Sequence, residues 1–176
     1  MVNIVLWLTG LPSSGKSTLA RRLRDIFIGS GYRVEVLESD EYRRMLTPNP
    51  SYTEYERDLF YRSIVVTSYY LYRNGLNVII DATGHKRSYR DYARRIIRDF
   101  IEVYVYAPLK VCMDRDVKGL YRLAVEGIVK TLPGLQVPYE EPARPEVRVN
   151  THIEDVDESI AKIIRYLVDE YDFSLT

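Results

Sequence analysis

The stretch Gly10-Leu11-Pro12-Ser13-Ser14-Gly15-Lys16-Ser17-Thr18 satisfies the pattern G-x-x-x-x-G-K-[ST] at every fixed position. The chemistry of that spacing is phosphate capture. Glycines let the backbone curl until successive N–H groups point inward at an anion, and a helix starting at the lysine adds the positive end of its dipole. Lys16 has the reach for the β- and γ-phosphates of a nucleotide, and the Ser17 hydroxyl suits a magnesium ion. A glycine-rich turn without function is the bland alternative. The position of this one, between an apolar run and a helical pattern, argues for ATP and Mg2+ instead.

Phosphoryl transfer to an alcohol also needs a carboxylate that accepts the hydroxyl proton or holds the metal shell. Asp40 is the first candidate for base, acceptor contact and magnesium ligand, because it ends a strand expected beside the phosphate loop. It also reads as a helix N-cap, and one residue can do both. Asp81, after the most apolar run, is the second, holding a magnesium-bound water or only forming a turn. Arg43, Arg57, Arg62 and Arg87 follow or line the same edge. Their planar forks suit sulfate and phosphate oxygens, although solvated helix arginines look no different in sequence. Tyr52, Tyr55, Phe60 and Tyr61 form either a stacking wall for a base or ordinary core. His85 touches substrate or is an exposed loop histidine, the second being the default expectation. His152 carries no signal, and Cys112 on an apolar helix face reads as inert core.

The elements that must position these groups alternate. Residues 3–9 read as a buried strand, 16–30 as a helix stopped by Gly29 and Gly31, 33–37 as a strand and 41–46 as a short helix. Residues 53–74 form a long helix opened by a Thr53–Glu56 capping box and closed at Gly75. Strands at 76–80, 101–106 and 146–150 and helices at 88–99, 109–115 and 156–171 follow. Residues 116–144, broken by Gly119, Gly127, Pro133, Gly134 and Pro138, read as a partly helical lid or substrate loop. The expected architecture is a single α/β domain over 1–176: a three-layer P-loop kinase fold with a parallel central sheet and helices on both faces. Ligands of such sheets bind beyond the carboxyl ends of the strands, where Gly10, Asp40 and Asp81 fall.

Bulk composition narrows the partners. The 176 residues carry 25 Lys plus Arg against 25 Asp plus Glu, a balance that offers no general attraction for nucleic acid or membrane. The expected partner is therefore a small-molecule nucleotide held by a local cluster. A lone cysteine excludes an internal disulfide and a Cys-based zinc site. The apolar run at 4–8 is too short for a signal peptide or a membrane span, so cytoplasm is the expected location. Sixteen tyrosines and a single glutamine, Gln136, lean toward a heat-adapted source.

Beyond the loop, the segment FIEVYVYAPLKVCMDRDVKGLY (100–121), followed by Pro138-Tyr139-Glu140 and Pro145-Glu146, resembles the adenylylsulfate kinases. These transfer the ATP γ-phosphate to the 3′-hydroxyl of adenosine 5′-phosphosulfate. The resemblance covers residues 6–151. It implies that Asp40 matches the second Asp of the family's D-G-D-N motif and Arg43 the arginine near it. It implies further that Arg57 sits on the acceptor-binding helix, that Lys118 lies near the bound nucleotides and that Arg115 lies against the ATP adenine. The departures gather on the acceptor side. D-G-D-N reads Glu38-Ser39-Asp40-Glu41. Phe60 replaces an acceptor-binding asparagine and Tyr52 a phenylalanine. Leu132 replaces the phenylalanine that stacks on the acceptor's adenine, and Arg87 falls in the altered S-P-[FY]-x-R stretch. There Gly84 stands where some members carry a phosphorylated serine, so that modification is impossible here.

Two other readings stay open. Asp81-Ala82-Thr83-Gly84 resembles the D-A-T segment of kinases acting on polynucleotide ends or metabolite hydroxyls. It also fits the D-x-x-G of GTPase switches, although no N-K-x-D or T-K-x-D segment accompanies it. The family often forms dimers, and the tyrosine-rich stretch 64–72 reads as either a homodimer interface or core.

Overall fold

A computed structural model of the chain describes residues 3–174. Its centre is a five-stranded sheet of β1 (Val5–Thr9), β2 (Val34–Glu38), β3 (Asn77–Asp81), β4 (Phe100–Tyr106) and β5 (Val147–Asn150), in the order β2-β3-β1-β4-β5. Every neighbouring pair is parallel, with Leu6 opposite Ile79 on one side and Ile101 on the other. All five carboxyl ends therefore share one edge.

Strand period explains how both faces are covered. Ile4, Leu6 and Leu8 point into one core with Leu19, Leu23 and Phe27 of α1 (Lys16–Gly29) and Ile160, Ile163 and Leu167 of α7 (Val156–Tyr171). Val5 and Trp7 point the other way. They meet Phe60, Tyr61, Ile64 and Val65 of α3 (Glu54–Arg73) and Tyr89 and Ala93 of α4 (Arg87–Ile96). Helices cover both faces of the sheet, which is the three-layer arrangement expected.

The remaining helices are α2 (Ser39–Leu46), α5 (Leu109–Arg115) and α6 (Leu120–Val125). A third, smaller core joins Ala107, Cys112, Tyr121, Ala124 and Leu132, with Leu11 of the phosphate loop packed against it. Among residues 116–144 only α6 is helical, and the rest is tied down by side chains. The Gln136 amide accepts from Leu132 N at 2.9 Å and donates to Val129 O at 2.6 Å. The Tyr121 hydroxyl donates to Pro12 O at 2.9 Å.

The stretch 64–72 is mostly core: Ile64, Val65 and Ser68 are buried, while Tyr70 is 57% exposed. Among the described residues no helix is long and apolar enough to cross a membrane.

Candidate active site

The loop between β1 and α1 has the shape its glycines imply. A Cβ on Gly10 would stand 2.2 Å from Val105 O, so only hydrogen fits against β4. Gly15 has φ +106°, the left-handed region where glycine carries no steric cost, and it caps α1 without a side-chain bond. The first helical bond runs from Leu19 N to Gly15 O at 3.2 Å. The N–H groups of Lys16, Ser17 and Thr18 precede it and carry the positive end of the dipole, with no acidic residue in that first turn to neutralise it.

Lys16 lies inside this ring. It is 8% exposed, and its Nζ donates to Gly10 O at 3.1 Å and Leu11 O at 2.8 Å. Burial lowers its pKa, opposed by the negative charges of Asp81 and, more weakly, Asp40. A cation so placed gains from an anionic ligand that restores its charge balance.

A cavity of about 620 Å³ opens in front of the loop. Pro12, Ser13, Gly15, Lys16, Ser17 and Thr18 line one wall, and Asp40, Asp81, Arg115 and Lys118 complete much of the rest. Lys118 Nζ, reaching over from the segment before α6, is ion-paired with the Asp40 carboxylate and lies 4.0 Å from Glu38 Oε1. Burial disfavours its charge, but the two carboxylates outweigh burial and raise its pKa. Arg115 donates to Thr151 O at 2.6 Å and Thr151 Oγ1 at 3.1 Å, while Thr151 Oγ1 donates to Ser14 O at 2.6 Å. The loop's outer side is thereby stitched to the residue after β5.

Two placements differ from expectation. The strands flanking β1 and its phosphate loop are β3 and β4, so Asp81 is the nearer carboxylate in the sheet, and β2 lies one strand beyond β3. Asp40 is in the first turn of α2, whose cap is Glu38, and reaches the cavity from there. Thr83, Glu38 and Thr151 also line the cavity, in addition to the residues that motif and spacing indicate. The rule that ligands sit past strand ends points to all three, since Glu38 ends β2, Thr151 follows β5 and Thr83 lies two residues past β3.

Of the expected acceptor residues, Asp40 and Lys118 line this cavity, whereas Arg43, Tyr52, Arg57 and Phe60 form a cluster of their own outside it. Arg43, three residues after Asp40 and hence on the same helical face, lies 3.7 Å above the Phe60 ring and 5.1 Å from the Tyr52 ring. Phe60 is fully buried beneath it. Arg57 stands 5.7 Å from the same Tyr52 ring and donates from Nη2 to Thr131 O and Thr131 Oγ1, each at 2.7 Å. Tyr52 and Tyr55 are exposed, whereas Tyr61 is core and Leu132 is 5% exposed in the third cluster. Arg87 is held elsewhere, with its N–H on the Glu140 carboxylate at 2.7 Å and its Nε on Glu141 O at 2.7 Å. Arg62 stacks over Tyr92 at 4.8 Å. His85 is not an exposed loop residue. It is 6% exposed, because Tyr61 and Tyr89 close over it edge-on.

Beneath the site, a buried charge network ties the loop after β3 to β4. Arg90, 1% exposed, donates to Glu102 Oε1 at 2.5 Å, to Glu140 O at 2.5 Å and to Gly84 O. Thr9 Oγ1 donates to Thr83 O at 2.6 Å and bonds the Tyr139 hydroxyl at 2.9 Å, which explains why the P-Y-E segment lies against the end of β1.

A glycine-lined anion ring at the carboxyl end of a central parallel strand, with a buried lysine in it, defines a P-loop kinase fold. The model of the adenylylsulphate kinase family matches residues 2–150, and the chain belongs to that family. It is 42% identical over 166 residues to a probable adenylyl-sulfate kinase of Synechocystis, covering 94% of each chain. It is 44% identical over 154 residues to a probable adenylyl-sulfate kinase of Archaeoglobus fulgidus, covering 88% of this chain and 99% of that one. Its backbone matches the Mycobacterium tuberculosis APS kinase, solved in complex with AMPPNP and APS, with a TM-score of 0.88 at 29% identity, over 94% and 97% of the two chains.

Proposed function

We propose that this protein transfers the γ-phosphate of ATP to the 3′-hydroxyl of adenosine 5′-phosphosulfate. The observation that carries the reading is the meeting, in one cavity, of Lys16, Ser17, Asp40, Asp81 and Lys118. The arginine–aromatic cluster at its side is polar enough for a sulfated nucleotide, and the family membership supports that acceptor.

Lys16 and the N–H groups of Lys16, Ser17 and Thr18 bind the terminal phosphates. Arg115, held by Thr151, flanks the loop where the nucleotide's base would lie. Asp40 accepts or orients the proton of the attacking hydroxyl, so transfer is in line and needs no covalent enzyme intermediate. Lys118 shares charge between Asp40 and the phosphates. Arg43 and Arg57 hold the acceptor's anionic end, with Tyr52 beside it. Phe60, beneath Arg43, and Leu132, next to the Thr131 that holds Arg57, act from behind by positioning those arginines.

Mg2+ fits the donor set of one hydroxyl (Ser17) and two carboxylates (Asp40, Asp81) facing the same cavity. No group of three His, Cys, Asp or Glu able to hold a metal occurs among the described residues, which suits an ion carried in with nucleotide phosphates rather than by an all-protein cage. When bound, the ion neutralises charge on the phosphates. The segment 116–144 acts as a lid that excludes water. A cytoplasmic location and self-association as a homodimer, with the exposed Tyr70 side of α3 as a candidate surface, belong to the same reading. Sedimentation velocity tests the dimer.

The deciding experiment supplies purified protein with ATP-Mg and a panel of acceptors: adenosine 5′-phosphosulfate, adenosine 5′-phosphate, sugar alcohols and an oligonucleotide 5′-end. Turnover confined to adenosine 5′-phosphosulfate is expected. Turnover of any other acceptor with none of that one defeats the assignment.

A further inference from the structure

Three polar atoms of the arginine–aromatic cluster are enclosed by protein and have no hydrogen-bond partner: Arg43 Nη1, Arg57 Nε and His85 Nδ1. Orphans of this kind are few in native proteins, and each needs an explanation. Arg43 Nη1 faces the Glu56 carboxylate at 3.7 Å, and both arginines are assigned to the acceptor above. His85 has no such explanation.

Its side chain is hard to explain as packing. The ring stands edge-on to Tyr61 at 6.1 Å and Tyr89 at 5.5 Å, which stack on each other at 4.4 Å. An apolar residue would fill that slot without desolvating the enclosed Nδ1. The one bond His85 makes uses its backbone, whose carbonyl accepts from Glu140 N at 2.8 Å, and any residue would supply it. Among the described residues no group bonds Nδ1. The charged groups that face the ring are Arg57, Lys86, Glu140 and Asp58, with Arg57 exerting the largest influence of these. Arg57 is pinned to Thr131 through Nη2, and its Nε, like His85 Nδ1, is enclosed without a hydrogen-bond partner. Burial, then the charges of Arg57 and Lys86, lower the imidazole's pKa to about 4, so the ring is neutral near pH 7 and adds a directed donor without a third positive charge.

We propose that His85 is a third ligand of the acceptor's anionic end, its Nδ1–H donating to a sulfate or phosphate oxygen held between Arg43 and Arg57. This rests on the acceptor reading above.

The test compares wild type, His85→Leu and His85→Asn at saturating ATP-Mg. In His85→Leu the acceptor KM rises about tenfold, equivalent to ~1.4 kcal/mol. Its ATP KM stays within about twofold and its Tm equals or exceeds wild type, because an unpartnered buried polar group has been replaced by an apolar one. His85→Asn, which keeps a polar atom near the Nδ1 position, recovers most of the acceptor KM. A purely structural histidine gives the reverse pattern, with a lowered Tm and no selective change in acceptor KM. An unchanged acceptor KM in His85→Leu, with wild type active, overturns the proposal and leaves the acceptor reading standing. If wild type instead uses another sulfated or phosphorylated acceptor, the same comparison is made on that one. A wild type that turns over no anionic acceptor overturns both.

Discussion

Replacing Asp40 with asparagine separates chemistry from architecture, because the structure assigns the two consequences very different sizes. Asp40 pairs with Lys118 across the mouth of the cavity, and the two side chains are 51% and 49% exposed. An ion pair that open to solvent contributes about 0–1 kcal/mol. Lys118 also keeps Glu38 as a neighbour at 4.0 Å. The folding cost of Asp40→Asn is therefore below about 1 kcal/mol, or a Tm change of less than ~4 °C for a chain of this size. Loss of a positioned proton acceptor lowers turnover by a factor of about 10² to 10⁴, or ~2.7–5.5 kcal/mol of barrier. Asparagine is nearly isosteric and leaves Lys16 and the α1 N-terminus intact, so ATP KM should move by no more than about threefold, the loss falling on kcat. Steady-state kinetics with a Mg2+ titration distinguishes the two roles Asp40 can play. Excess metal partly rescues a lost metal ligand but not a lost base. A kcat within about fivefold of wild type refutes the assignment and moves the role to Asp81.

Other outcomes follow from the packing. Gly84 has φ +55°, and a Cβ there would lie 2.7 Å from Trp7 Cζ2. Gly84→Ala should cost ~2–5 kcal/mol, the sum of a left-handed backbone penalty and overpacking, seen as a Tm loss of roughly 5–15 °C in calorimetry. Arg90→Met leaves Glu102, 8% exposed in its side chain, with only the partly exposed Arg94 at 3.4 Å and should cost up to ~3 kcal/mol in urea titration, while the double change Arg90→Met, Glu102→Leu should recover much of it. His85 is lowered from 6.5 to about 4 on folding. Between those values the unfolded chain binds the proton that the folded one refuses, so stability falls as pH drops from 6.5 to about 4 and this contribution levels off below. The swing is on the order of 3 kcal/mol. Wild type minus His85→Leu, measured by denaturant titration across that range, should show that slope, and parallel curves would contradict it.

The sequence made elements legible where one local signal sufficed. Helices at 109–115 and 156–171 match in both bounds, and β1 and the phosphate loop follow from an apolar run meeting a fixed glycine–lysine spacing. At Thr53 half of the expected capping box forms: Oγ1 accepts from Glu56 N at 3.3 Å, but the Glu56 carboxylate turns to Ser51 N at 2.6 Å. Strand order left no local trace. Period and composition identify β2 and β3 as strands without saying which lies beside β1, so the premise that placed Asp40 failed although the residue reaches the cavity from α2. His85 shows the same limit. Its burial depends on Tyr61 and Tyr89, which belong to different helices and meet only in the folded chain.

Calorimetric titration of magnesium-bound, non-hydrolysable ATP analogue into wild type and Lys16→Ala tests the anion ring most directly. Uptake of one nucleotide per chain, weakened at least about tenfold when one charge-assisted contact is removed, is the expected result. Absence of binding to well-folded wild type, or equal affinity in the two proteins, contradicts it.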